Sequence, residues 1–510
     1  MRPDRAARRR LRAFAALLPF TTLLLPQPAR PQAAADSWVS VRSPRYLFVG
    51  NAPAADVRRA AARFELFAAA FSELFPALGA HDSVPTRVFV FKDYESFRPF
   101  RPLYDGETAD FKGYFQSGAD VNHICVPLAL ANEDSQQVQN HEAVHLLLAA
   151  TARRVPDWLN EGLAQYYSTL KVSDGGGVTL GSPVARHAAL LRQAKLLPPA
   201  RLFRIDRGSR DYRTGAGRDL FYAQSWALTH YLASTDGGRG HLRLFRFLEM
   251  LASGMTVEES LKRAFDLDYA TLEEKLFEYV RRGEYRTREL SVGGGAAHNE
   301  AELKVAPLGE AESEFYLGDL LLHVDHFAEA EKRLRRSLAL DRASARAYTS
   351  LGMALVRQQR FSAARQSLRR AVALAPSNYL AHYYHAYALS REDMEDEQTV
   401  TEYTPEQAGE MRAALERAIA LEPRFPESYR LLAFVNLVTG ERLDESVELL
   451  KRGLALAPNR PDMLFVLAQV HLRRGDRGAA RESLEKVAAA SANPRLRGMA
   501  AAMLREMAAK

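Results

Sequence analysis

The chain has 510 residues, of which 47% are hydrophobic and 26% are charged. This length exceeds what one hydrophobic core accommodates, so we expect two to four domains of ordinary globular composition. The formal net charge is +7, but residues 1–35 hold seven arginines and one aspartate and so carry +6 of it. The rest of the chain is close to neutral, which argues against a nucleic-acid-binding protein.

The first segment, residues 1–35, predicts an export signal. It begins with Arg8-Arg9-Arg10, continues with an apolar run over 13–25 and ends with Ala33-Ala34-Ala35. A basic start, a short apolar middle and a small-residue end are the parts of a cleavable secretory signal. The run is short for a bilayer span and contains Pro19; an uncleaved anchor is the alternative. We therefore predict a secreted or periplasmic protein, exported by the general or the twin-arginine route, with no stable membrane span after cleavage.

Residues 36–132 predict a small α+β unit. Strand-like alternation over 38–49 is followed by helical apolar spacing over 54–75, and residues 86–91 read as a strand. Residues 123–126 form a further short strand. Two alternatives remain for it, an interior strand or an edge strand that pairs with an extended peptide.

The next helical stretch carries a His-Glu-x-x-His motif, formed by His141, Glu142 and His145. Residues four apart on an α-helix lie about 6 Å apart along one face, so both histidines can reach one ion. Zinc accepts neutral imidazole nitrogens, and the intervening glutamate could take a proton from a zinc-activated water. The chain has a single cysteine, which excludes an internal disulfide and argues against a thiolate metal cluster.

A second helix follows, with Pro156 well placed to start it. Fifteen residues lie between His145 and Glu161, enough for the first helix to end and for the second to return past it. The Glu161 carboxylate could then complete the coordination. Helical apolar spacing continues at 184–197, 219–234, 241–253, 257–265 and 271–282. We therefore predict a mostly helical subdomain over 133–290.

A glycine-rich break marks a linker over 291–309, and a repeat begins after it. Five residues recur at an interval of 34 positions, Gly318, Phe327, Ala330, Leu334 and Leu340 returning as Gly352, Phe361, Ala364, Leu368 and Leu374. This is the helix-turn-helix period of tetratricopeptide repeats. We predict about five units within a repeat domain over 310–510, with an acidic insertion over 391–407. Such an array offers a concave groove to a protein partner.

The two helical motifs resemble those of the gluzincin metallopeptidases, which include thermolysin and the aminopeptidase N family. The first is His141-Glu142-Ala143-Val144-His145, and the second is Trp158-Leu159-Asn160-Glu161-Gly162-Leu163-Ala164. With the leader, the α+β unit and the repeats, the chain is similar to bacterial peptidase MA-like proteins over about 37–280. The resemblance implies an α+β gluzincin-like catalytic half, made of a small sheet and a helical zinc-peptidase subdomain, followed by an all-α repeat solenoid. It also implies that His141, His145 and Glu161 bind zinc and that Glu142 is the catalytic base.

The resemblance implies one further catalytic residue. In the aminopeptidase N family, a tyrosine in a Tyr-x-x-Gly helix start donates to the tetrahedral intermediate. The stretch from Phe221 to Leu228 is similar, with Ser225 in place of the glycine, so Tyr222 could donate where negative charge develops. Packing as a core aromatic is its alternative role. The family's Gly-Ala-Met-Glu-Asn motif is absent from the sequence, so exopeptidase activity is not implied.

The sequence thus predicts an exported Zn²⁺-dependent metallopeptidase. Its repeats would recruit protein substrates or partners. Two alternatives stay open. The protein could be a non-catalytic, repeat-based interaction protein with a peptidase-like domain, or a zinc hydrolase of non-peptide substrates.

Overall fold

The computed structural model describes residues 37–509, apart from 76–83, 105–106, 109–111, 129–131, 150–154, 174–176, 207, 236–239, 292–299, 393–401, 459 and 492. The predicted export signal over 1–35 and most of the predicted acidic insertion lie outside the described residues. No helix within the described ranges is both long enough and apolar enough to cross a bilayer.

The described residues are mostly helical, with a small sheet near the N-terminus. The strands are β1 Val39–Arg42, β2 Tyr46–Gly50, β3 Thr86–Phe91, β4 Leu103–Tyr104, β5 Glu107–Thr108, β6 Tyr114–Gln116, β7 Asn122–Pro127, β8 Lys171–Val172, β9 Gly177–Leu180, β10 Arg288–Ser291 and β11 Val305–Pro307. The helices before the repeats are α1 Ala54–Leu74, α2 Tyr94–Phe97, α3 Asn132–Ala149, α4 Asp157–Tyr167, α5 Ala185–Gln193, α6 Pro199–Leu202, α7 Arg210–Arg213, α8 Gly215–Ser234, α9 Gly240–Ala252, α10 Val257–Phe265 and α11 Tyr269–Arg282. Those that follow are α12 Glu310–His323, α13 Phe327–Leu340, α14 Ala345–Arg357, α15 Phe361–Leu374, α16 Tyr379–Leu389, α17 Pro405–Leu421, α18 Pro426–Thr439, α19 Leu443–Leu456, α20 Pro461–Arg473, α21 Arg477–Ala490 and α22 Pro494–Ala509.

Six strands form a mixed sheet in the order β11-β1-β2-β3-β7-β6. The central strands β2, β3 and β7 are parallel, and the flanking pairs are antiparallel. Because side chains alternate between the two faces of a strand, β7 serves two cores at once. Its Ile124 and Val126 lie in the core shared with α1, α3 and α4, whereas Cys125 lies in the core shared with α12.

The strand over 123–126 is therefore interior, and its alternative as an edge strand was wrong. It is β7, which pairs with β3 on one side and with β6 on the other. The short strand β6 occupies the edge instead, with Tyr114 opposite Cys125. The predicted linker over 291–309 contains β11, which adds to the other edge of the sheet by pairing with β1.

The helical part begins with α3 and α4, which pack against each other, and α4 also packs against α8. The five stretches with helical spacing correspond to α5, α8, α9, α10 and α11. Helix α8 starts at Gly215, earlier than the periodicity indicates, because the Thr214 side chain accepts a hydrogen bond from the amide of Gly217 and caps the helix. Helix α5 ends at Gln193, before the extended segment that leads to Pro198.

Where the structure describes it, the repeat array has five helix pairs, α12 to α21, with α22 packed against the last pair. The recurring glycines and leucines meet inside each of the first two pairs. A methyl group on Gly318 would lie 2.8 Å from Leu334, and one on Gly352 would lie 2.4 Å from Leu368. Glycine thus recurs after 34 residues where the two helices of a pair are in close contact and leave little room for a side chain.

Candidate metal centre

Helices α3 and α4 bring the three predicted ligands together. The Glu161 Oε2 atom lies 3.4 Å from His141 Nε2 and 3.6 Å from His145 Nε2. The two Nε2 atoms are 3.0 Å apart. A tetrahedral zinc ion with ligand bonds of 2.0–2.1 Å requires its ligand atoms to be about 3.3 Å apart. The predicted ligands are thus spaced as the corners of one face of such a tetrahedron.

The chemistry of these donors also fits a cation. The Nδ1 atom of His145 lies 3.3 Å from Asn160 Oδ1, so a proton on Nδ1 leaves the lone pair of Nε2 directed toward Glu161. The Glu161 Oε2 atom is buried and has no hydrogen-bond partner among the described residues. A buried carboxylate oxygen without a partner is costly, and a metal ion would satisfy it. The sequence motif contains Asn160 but does not indicate its contact with His145.

Burial and mutual charge set the protonation of the acids. Burial raises the pKa of Glu161, but the nearby His145 and His141 lower it by more than burial raises it. The pKa of this carboxyl is therefore held well below its usual range. Burial raises the pKa of Glu142, and the two histidines offset this only in part. Burial lowers the pKa of His145, but Glu161 outweighs it and the net shift is upward. One acid is therefore suited to hold a cation and the other to exchange a proton.

Tyr222 reaches the same cleft from α8. It lines a cavity together with His141 and Glu142, and its hydroxyl lies 3.0 Å from the hydroxyl of Tyr212. No pattern in the sequence pointed to Tyr212, because it lies in the four-residue helix α7 and meets Tyr222 only through the fold.

Two cavities meet at these residues. One, the β6-side cavity, has a volume of about 430 Å³ and is lined by residues 113–117 and Tyr212. The other, the α5-side cavity, has a volume of about 530 Å³ and is lined by Arg186, His187 and Arg218. Both are also lined by His141, Glu142 and Tyr222. The two cavities therefore adjoin at the candidate centre.

A second histidine–carboxylate cluster has a different character. His123 on β7 and Asp319 and His323 on α12 lie close together, but the His123 Nε2 and His323 Nδ1 atoms are each 3.8 Å from Asp319 Oδ2. The Arg87 guanidinium contacts the same carboxylate, and His323 Nε2 lies 3.2 Å from Asp120. The Arg87 cation already pairs with the Asp319 carboxylate, and the 3.8 Å distances exceed the spacing of zinc ligands. Both observations favour an ion-pair network over a metal site.

Comparisons with known proteins identify the repeats. Family models described as tetratricopeptide repeat match residues 315–389 and 437–503. The C-terminal part is thus a tetratricopeptide-repeat solenoid, as predicted, and such repeats imply protein partners. A model described as a protein of unknown function (DUF1570) matches residues 137–254, which include His141, Glu161 and Tyr222. No curated protein matches the chain.

Similar solved structures include two that are described as TPR proteins. YrrB, described as a TPR protein with an unusual peptide-binding site, is 20% identical, with 38% of this chain and 92% of that chain covered and a TM-score of 0.31. TTC0263, described as a thermophilic TPR protein from Thermus thermophilus, is 20% identical. The match covers 38% of this chain and 99% of that chain, with a TM-score of 0.32. MamA from Desulfovibrio magneticus is 19% identical. The match covers 35% of this chain and 94% of that chain, with a TM-score of 0.30.

Proposed function

We propose that the protein is a zinc-dependent metallopeptidase with a gluzincin-like catalytic half. The observation that carries this proposal is the near-tetrahedral spacing of His141, His145 and Glu161, with Glu142 beside them. These three residues would hold Zn²⁺, which, when bound, polarises a carbonyl and makes water more acidic.

The chain's own residues would carry the proton transfers. Glu142 accepts the proton of the attacking water and delivers it to the leaving amine, a role suited to a carboxylate whose pKa is raised by burial. The Tyr222 hydroxyl donates a hydrogen bond to the oxygen on which negative charge develops. Tyr212 orients that hydroxyl through their shared hydrogen bond.

The edge strand β6 favours a peptide over other substrates. Residues 114–116 pair with β7 and with no other strand that the structure describes, and they line the cleft beside Glu142. The backbone of Phe115 in this strand lowers the pKa of Glu142 and so offsets part of the effect of burial. An extended peptide can add to such an edge through main-chain hydrogen bonds, which would fix its backbone near the base. A zinc hydrolase of non-peptide substrates would use the same residues but would not need this edge.

The N-terminal residues and the repeats complete the proposal. The basic and apolar segment over 1–35 would direct the protein to the periplasm or the outside of the cell. The repeats would recruit protein substrates or partners to a groove of about 1150 Å³, lined by residues such as Tyr387, Phe434 and Phe465.

Peptide cleavage tests the proposed activity. We expect the zinc-loaded wild type to cleave members of a mixed peptide library, with new termini read by mass spectrometry. Replacing Glu142 by Gln removes the base and should reduce cleavage by at least about 100-fold while an unchanged melting curve shows that the fold is intact. Equal cleavage by both proteins would contradict the role of Glu142.

A second candidate function is that of a non-catalytic interaction protein. The comparisons favour this candidate, because tetratricopeptide-repeat models match the chain, whereas the model over residues 137–254 is described as a protein of unknown function. It predicts that the wild type binds peptides or a protein partner through the groove and cleaves none of them, even when zinc is bound. The library experiment therefore separates the two candidates.

A further inference from the structure

The two cavities that meet at the centre differ in charge. Apart from the three zinc-ligand candidates and Glu142, no charged side chain among the described residues lines the β6-side cavity. The α5-side cavity is lined by three cations, Lys112, Arg186 and Arg218, and by one further acid, Asp219. Because Zn²⁺ would be balanced by Glu161 and Glu142, the α5 side keeps an excess of positive charge.

The fold holds two of these cations close to the reacting centre. Arg218 and Tyr222 are four residues apart on α8, so their side chains lie on the same helix face. Arg186 on α5 precedes His187, whose Nε2 lies 3.1 Å from Gln165 Oε1. Gln165 is in turn one helical turn beyond Glu161 on α4. The contact between His187 and Gln165 thus joins helix α5 to helix α4, which carries the third proposed zinc ligand.

Arg186 and Arg218 form no ion pair with any other residue that the structure describes. Asp219 follows Arg218 directly on α8, and neighbouring helix positions diverge by about 100°. Two guanidinium groups therefore face a cavity that contains the base, with their charge available to a ligand. Guanidinium groups bind carboxylates through paired, charge-assisted hydrogen bonds.

We propose that the α5-side cavity selects substrates with a carboxylate on that side of the scissile bond. Arg186 and Arg218 bind the carboxylate of an Asp or Glu side chain or of a free C-terminus, and Lys112 adds to the local potential. This inference rests on the proposed peptidase function and names its substrate class. Both arginines are positioning residues, because they hold the substrate without touching the reacting atoms.

Binding to an inert form of the protein tests this selection. The probes are fluorescein-labelled decapeptide pairs that differ by Glu or Gln at one position, with the C-terminus either free or amidated. On zinc-loaded protein with Glu142→Gln, we expect the carboxylate form to bind about 10-fold more tightly than its amide twin. Adding Arg186→Gln and Arg218→Gln should abolish that preference without lowering the zinc content. Equal binding of the twins, or a preference that survives both substitutions, would overturn the proposal.

Arg192→Gln is the matched control. Arg192 lies on the same helix α5, where its charge lowers the pKa of Tyr285, and it is not among the residues that line the cavity. Its replacement removes the same charge and should leave the preference unchanged. A preference that follows the free C-terminus identifies the substrate's end as the ligand, whereas one that follows the Glu position identifies an acidic side chain. Loss of the preference in the Arg192 variant would contradict a local role for Arg186 and Arg218.

Cleavage of the same peptides separates this inference from the activity itself. If the wild type cleaves both twins with equal kcat/KM, the peptidase proposal stands and the carboxylate selection fails. If the carboxylate twin binds more tightly and is never cleaved, the selection stands and the peptidase proposal fails. When both hold, the two arginine substitutions should raise KM for the acidic peptide and leave kcat nearly unchanged.

Discussion

The hydroxyls of Tyr222 and Tyr212 share one hydrogen bond of 3.0 Å, and both residues line the β6-side cavity. Of the two, Tyr222 alone also lines the α5-side cavity, as does Glu142, the proposed base. We therefore predict that Tyr222→Phe lowers kcat for a cleaved peptide by about 100-fold, the loss expected for one oxyanion donor. Steady-state kinetics with zinc-loaded protein measure this.

Tyr212→Phe is the control for that substitution. It removes a hydroxyl from the same pair but would act only through the orientation of Tyr222. We expect a smaller loss of kcat, with the zinc content equal in both variants. Equal losses in the two variants, or an undiminished kcat in Tyr222→Phe, would leave Tyr222 as a packing residue.

Sequence reasoning at this scale identified residues whose relation is local. His141, Glu142 and His145 share one helical turn, so their spacing alone predicts a common face. Glu161 required a second helix, and its motif supplied one. Tyr212 and Arg186 lie on α7 and α5, and the fold alone brings them to the cleft. No spacing rule connects such distant positions.

At the scale of elements, Gly162 sets how closely α4 approaches α8. A methyl group at this position would lie 2.2 Å from Thr229 Oγ1 and 2.6 Å from the carbonyl oxygen of Ser225. A backbone carbonyl cannot yield as a flexible side chain does, so Gly162→Ala should force the helices apart. We predict a loss of about 2 kcal/mol in unfolding free energy, seen as a lower melting temperature. Because Glu161 precedes this residue, zinc binding should weaken as well.

Gly409 provides the matched substitution. It lies on α17, is exposed, and has open space where a methyl group would be added. Gly409→Ala should therefore raise helix stability slightly, by about 0.5–1 kcal/mol, and leave zinc binding unaltered. A melting temperature in Gly162→Ala at or above that of the wild type would contradict the close contact between α4 and α8.

Helices were easier to predict than the short strands. Helices α8 to α11 have apolar residues at a period that is visible in the sequence itself. Strand β6 has three residues and β11 has three, and each exists because it pairs with another strand of the sheet. An edge position therefore remained open for residues 123–126, although β6 covers that strand.

Across the whole molecule, an ion-pair network joins the sheet to the first repeat helix. Burial lowers the pKa of His323, but Asp319 and the hydrogen bond with Asp120 raise it by more than burial lowers it. The net result is a rise in the pKa of His323 from 6.5 to about 9. Asp120 belongs to the segment before β7, and Asp319 and His323 lie on α12. Arg87 on β3 contacts Asp319 from the sheet. Protonated His323 is thus held between carboxylates from both parts of the chain.

This network predicts how stability depends on pH. Since the pKa of His323 is higher in the folded state, its contribution is complete below pH 6.5 and is lost as the pH rises toward about 9. Between these values we expect the wild type to lose on the order of 2 kcal/mol more than a His323→Gln variant. Melting curves of both proteins across this range measure the difference. Parallel pH profiles would contradict a charged His323 in the folded protein.

The repeat array was the part of the molecule that the sequence predicted most completely. Its 34-residue period reflects contacts between neighbouring helices, such as Gly318 with Leu334, so each unit repeats the same local information. The attachment of the array to the sheet was not predicted. It depends on His123 and Cys125 facing one way from β7 while Ile124 faces the other, which follows only from the sheet order.

Zinc content is the most direct test of the proposed centre. We predict one zinc per chain, by elemental analysis after purification and removal of loosely bound metal, in the wild type and in Glu142→Gln. His145→Ala removes one ligand and leaves Glu161 in place, so its zinc content should fall close to zero. A wild type that binds no zinc, or a His145→Ala variant that binds as much zinc as the wild type, would contradict the metal centre.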